Sequence, residues 1–248
     1  MRKVLRIIGK IVTWTLIVFF ASSVLMVFIY KFMPVYVTPL MLTRCLEQKF
    51  DGREMTMHHK WVPLEEMSEH LPVAVMASED QRFLLHEGFD FKAIQEAMDY
   101  NKTHPGKVRG ASTISQQTAK NVFLWNGRSW LRKGLETYFT FLIEHIWSKQ
   151  RIMEVYLNSI EMGDGIYGAQ AVATEHFHKD AAQLTREECA LISATLPNPL
   201  ERNSAQPTAY LLKRQQQILH QMKFIPKFPR EGEAYDPNTV AGGIYKKQ

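Results

Sequence analysis

The chain has 248 residues, of which 46% are hydrophobic, and its formal net charge is +5. That length is enough for one sizeable folded core and an additional segment. The positive charge favours an anionic partner, such as nucleic acid, acidic lipid or a phosphorylated substrate. The two cysteines, Cys45 and Cys189, are predicted to be buried free thiols; one disulfide stays open as an alternative, but nothing in the sequence requires it.

The first predicted element is a transmembrane helix over residues 11–30. This run has no ionisable group except its last tyrosine, and as a helix it spans roughly 30 Å, the thickness of a bilayer's hydrocarbon core. A cleaved signal peptide is the alternative, but the run is too long for an ordinary signal core. Basic residues crowd residues 1–10, whereas only Lys31 follows closely, so we expect a cytoplasmic N-terminal tail and a domain outside the membrane.

Helical periodicity dominates the rest of the chain. We predict a juxtamembrane segment (31–54) along the membrane surface, a folded domain (55–225) and a loosely ordered C-terminal tail (226–248). Helices are predicted from Ser68 or Pro72 to the acidic pair at 79–80, and over 91–101, 112–124, 129–147, 150–158 and 207–222. Another begins after Thr185, which forms a capping box with Glu188, and ends at Pro197. Long alternating β-type runs are absent, so the fold class is mainly α.

The stretch SEDQRFLLHEGFD places Glu79 and Asp80 at the end of an apolar helix. A carboxylate in such a position, beside a second acid, is expected to have a raised pKa, which a general acid or base near neutral pH needs. A solvated acidic pair that merely ends a helix is the alternative.

The stretch RGASTISQQTAKN combines a glycine turn, a helix cap and two polar stripes. Gly110 permits the turn, Ser112 or Thr113 can cap the helix, and the helix start favours an anion. The pairs four residues apart are Gln116 with Lys120 and Gln117 with Asn121. Amides suit sugar hydroxyls, and Lys120 with Arg109 suits phosphate. A solvated surface helix is the alternative.

The stretch GRSWLRKGLE surrounds one glutamate with cations. Arg128, Arg132 and Lys133 lie close to Glu136 in sequence, and Arg132 is four residues before it on a helix. An ordinary helix salt bridge is one interpretation. The other is a carboxylate held ionised among cations that also receive phosphates. The later stretch KQRIMEVYLN has the periodicity of a packed helix, with Asn158 as a candidate supporting polar group.

Other catalytic or metal-binding patterns are missing from the sequence. No HExxH occurs, and the His pairs at 58–59 and 176 with 178 lack a third ligand at suitable spacing, so no metal ligands are predicted. The phosphate-binding GxxxxGK[ST] loop and the hydrolase GxSxG turn are also absent.

Taken together, these stretches resemble the monofunctional biosynthetic peptidoglycan transglycosylases, which correspond to the glycosyltransferase domain of class A penicillin-binding proteins. EDQRFLLHEGFD is similar to the family's EDxxFxxHxGxD, GASTISQQTAKN to GxSTxxQQxxKN, RKGLE to RKxxE, and KQRIMEVYLN to KxxILExYLN. The arginine-led helix from Arg214 to Met222 is a weaker fifth match. The resemblance covers roughly residues 55 to 225, and the transpeptidase motifs S-x-x-K and K-T-G are absent.

The resemblance implies a lysozyme-like domain with a small jaw that contacts the membrane, expected around residues 122–131 and the juxtamembrane segment. It implies polymerisation of lipid II into β-1,4 glycan, with inversion at N-acetylmuramic acid and release of undecaprenyl pyrophosphate. Glu79 would be the general base and Glu136 the second catalytic glutamate. Substrate contacts would come from Asp80, Arg109, Gly110, Ser112, Thr113, Gln116, Gln117, Lys120, Asn121, Arg128, Arg132, Lys133 and Asn158.

The resemblance also bears on partners and location. It allows a divalent cation, Mg or Mn, near the pyrophosphate, and partners among cell-wall synthesis or division proteins. It implies a single-pass protein of the bacterial inner membrane with an extracytoplasmic domain, which excludes nucleic acid as a partner. Glu96 departs from the family, in which a basic residue is common there, so one phosphate contact is in doubt. The alternatives are a lysozyme-like lytic enzyme and a catalytically silent membrane-anchored scaffold.

Overall fold

Helices make up most of the computed structural model, which describes residues 2–104, 106, 109–127, 129–230 and 232–233. In chain order they are α1 (Arg2–Tyr30), α2 (Pro39–Phe50), α3 (His70–Glu79), α4 (Phe91–Thr103), α5 (Ile114–Phe123), α6 (Trp130–Ile146), α7 (Lys149–Ser159), α8 (Ala169–Phe177), α9 (Arg186–Thr195) and α10 (Ala209–Gln221). The strands β1 (His58–His59), β2 (Glu161–Gly163) and β3 (Ile166–Tyr167) form a sheet in the order β1-β3-β2, parallel between β1 and β3 and antiparallel between β2 and β3. The predicted mainly α fold is confirmed.

The helices predicted by periodicity match α4, α5, α6, α7 and α10, with ends that differ by at most two residues. The predicted capping box on α9 is present: Thr185 Oγ1 accepts from the Glu188 backbone, and the Glu188 side chain accepts from Thr185 N. Helices α2 and α8 were not predicted. Pro39 at the start of α2 suggests irregular structure, although proline suits the first turn of a helix. Helix α8 is buried along 169–173 and shows no polar stripe.

The core has two groups of helices that meet where the end of α3 contacts the start of α5. Helix α9 packs on α3 and α10, and α5 packs on α6 and α7. The end of α3 contacts α5 directly, since the backbone N–H of Ile114 donates to Asp80 Oδ2 at 3.0 Å. Large side chains that are fully buried fill this interior: Leu71, Phe83, Ile114, Ile143, Ile152, Tyr156 and Tyr167.

Helix α1 is the one helix, among the described residues, that is long and apolar enough to cross a membrane. It extends nine residues earlier than predicted, to Arg2. Most of its side chains are exposed, but its last third packs on the domain. Ser23 Oγ hydrogen-bonds Tyr138 OH at 2.7 Å, and Trp147 Nε1 donates to the Val27 carbonyl at 2.8 Å. The helix is therefore attached to α6 and the segment after it.

The juxtamembrane segment contributes a helix to the folded body. Helix α2 contacts α5, and Arg44 Nε donates to Glu161 Oε2 at 3.2 Å. The predicted domain start at residue 55 leaves this helix out. Cys45 on α2 is half-buried and free, so its predicted full burial is wrong, whereas Cys189 is buried and free as predicted.

The chain after α10 returns to the core over part of the predicted loose tail. Ile225 and Phe228 are buried, and the Phe228 ring stacks on Phe83 at 6.3 Å between centroids. Lys227 Nζ forms an ion pair with Glu69 at 2.6 Å. Loose order is therefore wrong for residues 226–230, and most of the rest of the predicted tail lies outside the described residues.

Candidate active site

Glu79 ends helix α3 and faces a cleft of about 420 Å³. Gln117 Nε2 donates to its Oε2 at 3.2 Å and Ser78 Oγ to its Oε1 at 3.0 Å. Burial raises the pKa of Glu79, and these two hydrogen bonds with the nearby Arg214 charge only partly offset it. A carboxylate with a raised pKa beside a cleft can take up a proton near neutral pH.

Asp80 is tied into the protein rather than left free for a ligand. Both of its oxygens lie 3.0 Å from His86 Nε2, and Oδ2 also accepts from Ile114 N at the start of α5. The backbone N–H of Gly88 donates to His86 Nδ1 at 3.2 Å, so the imidazole proton sits on Nε2 and points at Asp80. Asp80 reaches the cleft wall, but its geometry fixes α3 against α5.

The turn around His86 depends on a glycine. Gly88 has φ +89°, and a Cβ there would lie 2.8 Å from Thr140 Cγ2. Its carbonyl accepts from Thr113 Oγ1 at 2.7 Å. The HEG sequence thus allows a close approach of this turn to both α5 and α6.

The loop before α5 supplies the other wall of the cleft. Arg109, Gly110 and Ser112 line it together with Glu79. The Arg109 backbone is held by Asn101, which accepts from Arg109 N at 2.7 Å and donates to Arg109 O at 3.0 Å. These three predicted contact residues are therefore in one place.

Two other predicted contacts form the cap of α5. Thr113 Oγ1 accepts from Gln116 N at 3.2 Å, and Gln116 Oε1 accepts from Thr113 N at 3.0 Å. Thr113 is buried at the cleft wall, whereas Gln116 is buried in the interior, so the structure does not bring its amide to the cleft. Both are expected to act through the position of α5.

A second polar cluster surrounds Glu136 on α6. This side chain is buried; Arg132 Nη1 donates to its Oε2 at 2.9 Å and Lys133 Nζ donates to its Oε1. Burial lowers the pKa of Lys120. The charge of Glu136 opposes this shift, and the charges of Arg132, Lys133 and Arg44 increase it. Arg132 and Lys133 thus bind the Glu136 carboxylate and Lys120 lies within its electrostatic reach, and this cationic cluster of three side chains favours an anion. Lys120 and Arg132 also line a cavity of about 450 Å³.

Helix α5 connects the two clusters. Gln117 contacts Glu79, and Lys120, three residues later, lies within electrostatic reach of Glu136. Residues three apart are neighbours on a helix surface. The base candidate and the cationic cluster are therefore held by adjacent turns of one helix.

Three predicted contacts lie elsewhere. Asn121 is 1% exposed, inside the protein, and neither of its amide atoms has a hydrogen-bond partner among the described residues. Asn158 is fully buried and its amide pairs with the Val62 backbone, accepting at 3.0 Å and donating at 2.9 Å. It therefore joins α7 to the chain before α3, away from the cleft. Arg128 lies outside the described residues.

The structure adds cleft residues that the motif reasoning did not assign. Arg214 on α10 lines the cleft, and its charge lowers the pKa of Glu79. Lys92 on α4 also lines the cleft, beside Glu96. A cation is therefore present close to Glu96, the position at which the family commonly has a basic residue. The signal for Arg214 was its place at the head of the fifth matching stretch.

The described residues hold no group of three or more His, Cys, Asp or Glu side chains that could bind a metal ion. Both Glu136 oxygens already accept from cations. The donor set around the cationic cluster does not fit a divalent ion, and no step below uses one.

This fold and site define a helical protein with a half-buried glutamate at a cleft and a cationic cluster one helical turn away. A family model described as transglycosylase matches residues 47–223. The chain is 63% identical over 214 residues to a biosynthetic peptidoglycan transglycosylase of Bacteroides thetaiotaomicron, covering 86% of each chain. Relatives with the same name are 47% identical in Bdellovibrio bacteriovorus (94% of this chain, 92% of the relative) and 49% in Pseudomonas entomophila (88% and 90%). The chain belongs to the transglycosylase family.

Proposed function

We propose that this chain is a membrane-anchored peptidoglycan glycosyltransferase that polymerises lipid II into β-1,4 glycan strands. The observation that carries the proposal is the arrangement on α5, where Gln117 contacts Glu79 and Lys120 lies among the cations around Glu136. A proton acceptor next to an anion site is what transfer of a sugar from a pyrophosphate requires. A lytic enzyme acting on finished glycan would have no use for the cationic cluster.

The reaction assigns a base role to Glu79. The 4-hydroxyl oxygen of one lipid II forms a bond to the anomeric carbon of the N-acetylmuramic acid that ends the growing chain, and its proton passes to the Glu79 carboxylate. The bond from that carbon to the pyrophosphate oxygen breaks, and undecaprenyl pyrophosphate leaves with the electron pair. Attack opposite the leaving group inverts the centre. The raised pKa makes the ionised Glu79 a stronger base than an exposed glutamate.

The cationic cluster has the complementary role of stabilising the leaving group. Lys120, Arg132 and Lys133 would neutralise the charge that develops on the pyrophosphate, and Arg128 is proposed to join them on the basis of sequence alone. Glu136 holds Arg132 and Lys133 by its two oxygens. We therefore assign Glu136 an electrostatic and positioning role rather than proton transfer.

The cleft around Glu79 is proposed to bind the acceptor. Arg109 and Arg214 would hold its pyrophosphate, and Ser112 its sugar. Gln117 would contact the sugars only with the parts of its amide not already bonded to Glu79 and Tyr156.

A lipid-linked substrate requires the cleft to lie at a bilayer surface. We propose that α1 spans the inner membrane with its basic end in the cytoplasm. Exposed apolar side chains on α2 (Leu42, Leu46 and Phe50), in the loop before α6 (Trp125) and at the start of α6 (Trp130 and Leu131) would form the membrane-contacting jaw. Proteins of cell-wall synthesis or division remain candidate partners.

The test is polymerisation of labelled lipid II by the purified full-length protein in detergent. The wild type should form polymer that lysozyme digests, whereas Glu79→Gln should form none and lose no thermal stability. Glu66→Gln, which changes an exposed glutamate away from the cleft, is the matched control and should polymerise normally. Polymer from Glu79→Gln at the wild-type rate would overturn the base assignment.

A further inference from the structure

We propose that Tyr156 is a positioning residue: its hydroxyl fixes the Gln117 side-chain amide in the one orientation that presents the NH₂ group to Glu79. Tyr156 is the tyrosine of the KQRIMEVYLN stretch, but neither that motif nor the periodicity of its helix gives it this role. The kinetic consequence rests on the proposed function, in which Glu79 is the base; the geometric statement does not.

The proposal stands on a chain of two hydrogen bonds through three helices. Tyr156 on α7 is fully buried, and its hydroxyl donates to Gln117 Oε1 at 3.1 Å. Gln117 on α5 then donates from Nε2 to Glu79 Oε2 at 3.2 Å. The amide is therefore held at both ends, by a buried phenol behind it and by the carboxylate at the cleft.

An amide between two partners has two orientations that differ in chemistry. With the NH₂ group toward Glu79, it stabilises the ionised carboxylate; with the oxygen toward Glu79, it accepts from the protonated acid and stabilises that form. A phenol that donates selects the first orientation, because the amide oxygen must face it. Burial and the nearby Glu79 and Asp80 raise the pKa of Tyr156 well above its ordinary value, so the phenol stays protonated and keeps its donor.

The charged groups around Glu79 act in parallel with this amide. Asp80, from the loop after α3, raises the pKa of Glu79, and Arg214, from α10, lowers it. Farther along the cleft lie Arg82, Asp90, Lys92, Glu96 and Arg109. Tyr156→Phe changes none of these charges, so a shift in the titration of Glu79 in that variant reports the amide.

The first experiment is the pH dependence of kcat/KM for lipid II polymerisation by full-length protein. In Tyr156→Phe the Gln117 amide is free to rotate, so the protonated form of Glu79 becomes more stable relative to the ionised form. The acid limb of the pH profile of kcat/KM therefore moves to higher pH by about 0.5 to 1 unit. Below both pKa values, kcat/KM falls by about 3-fold to 10-fold. At a pH well above them, the variant approaches the wild type.

Tyr167→Phe is the matched control. Tyr167 is also fully buried, and its hydroxyl also donates to a glutamate, Glu161 Oε1 at 3.2 Å, away from the cleft. Loss of this hydroxyl should lower thermal stability as loss of the Tyr156 hydroxyl does, but leave the acid limb in place. A purely structural role for Tyr156 would give the same result as this control.

A second experiment follows Glu79 without using activity. The pKa of Glu79 in the folded state is above the ordinary 4.5, so the protonated side chain stabilises the fold at low pH and this stabilisation is lost as pH rises. Above the unfolded-state pKa, the free energy of unfolding of the wild type therefore decreases relative to that of Glu79→Gln. This difference in stability between the wild type and Glu79→Gln, the stability gap, stops growing above the folded-state pKa. Thermal unfolding at a series of pH values measures this stability gap. Between Tyr156→Phe and the Tyr156→Phe/Glu79→Gln double variant, the gap should continue to increase up to a higher pH than it does in the wild-type background.

The two experiments separate the two proposals. An acid limb and a stability gap that are both unchanged in Tyr156→Phe would overturn the positioning role. A shifted stability gap, together with normal polymerisation by Glu79→Gln, would uphold the positioning of the amide and overturn Glu79 as the base. Shifts in Tyr167→Phe equal to those in Tyr156→Phe would also overturn the positioning role.

Discussion

At the scale of single residues, the site separates two glutamates by their surroundings. Among the described residues, the donors to Glu79 are the neutral side chains of Gln117 and Ser78, and burial raises the pKa of Glu79. Glu136 receives two cationic donors, Arg132 and Lys133. One carboxylate is thus suited to take a proton, and the other to keep cations in place.

Lys120 provides a test of the cationic cluster. Lys120→Met should lower kcat by about 10-fold to 100-fold, because one charge on the leaving pyrophosphate loses its partner. Thermal stability should stay level or rise, since the lysine is largely buried beside Arg132 and Lys133, whose charges oppose its own. Lipid II turnover and thermal unfolding of the same sample measure both.

The control for that variant is Lys102→Met, an exposed lysine of α4 that pairs with Asp99 at the surface. It should change neither quantity. If Lys120→Met kept the wild-type kcat, the cluster would not act on the leaving group.

At the scale of elements, α5 is the part whose placement matters most. Its start is fixed by its own capping box and by the Asp80 carboxylate, and its body carries Gln117 and Lys120. Glu144 on α6 adds a third attachment, since it accepts from Ser115 Oγ and from Lys149 Nζ. The polar residues at the start of α5 thus fix the position of the helix, and with it the positions of Gln117 and Lys120.

The cap of α5 can be tested against an equivalent cap elsewhere. Thr113→Ala should lower the free energy of unfolding by about 1–2 kcal/mol through loss of the cap, and it should lower kcat as well because α5 shifts. Thr185→Ala removes the same type of capping box from α9 and should lower stability alone. Denaturant unfolding and polymerisation assays distinguish the two; equal loss of kcat in both variants would contradict the role of α5.

At the scale of the whole molecule, three distant parts of the chain complete the domain. Helix α1 packs on α6, which carries Glu136, and α2 packs on α5. The chain after α10 places Phe228 against Phe83, in the loop that holds His86 and Asp80. Helix α1 and the C-terminal segment are thus attached to the elements that form the site.

Phe228 tests the C-terminal contact. Phe228→Ala should lower the free energy of unfolding by about 3–5 kcal/mol, because it leaves a cavity beside a buried ring. Phe224→Ala, in the same segment but 41% exposed, should cost much less. Denaturant unfolding of both full-length variants is the measurement, and equal losses would mean that the segment is not packed as described.

Several features could be predicted from the sequence because they depend on neighbours in sequence. Helix periodicity and caps predicted α4, α5, α6, α7, α9 and α10, and the long apolar run predicted α1. The pairing of Arg132 and Lys133 with Glu136 also follows from spacing of three and four residues. The local sequence singled out Glu79 and Glu136 as candidates, and the resemblance gave them catalytic roles, which stay a proposal.

The tertiary structure decided which polar side chains of α5 reach Glu79. Gln116 and Asn121 look equivalent to Gln117 in sequence, yet Gln116 completes a cap and Asn121 points into the interior. Asn158 pairs with a backbone 96 residues away. Sequence spacing gives the face of a helix, but it does not say which neighbour covers that face. Packing of α6 and α7 on α5, together with the contacts from the end of α3, supplied that answer and with it the link from Tyr156 to Glu79.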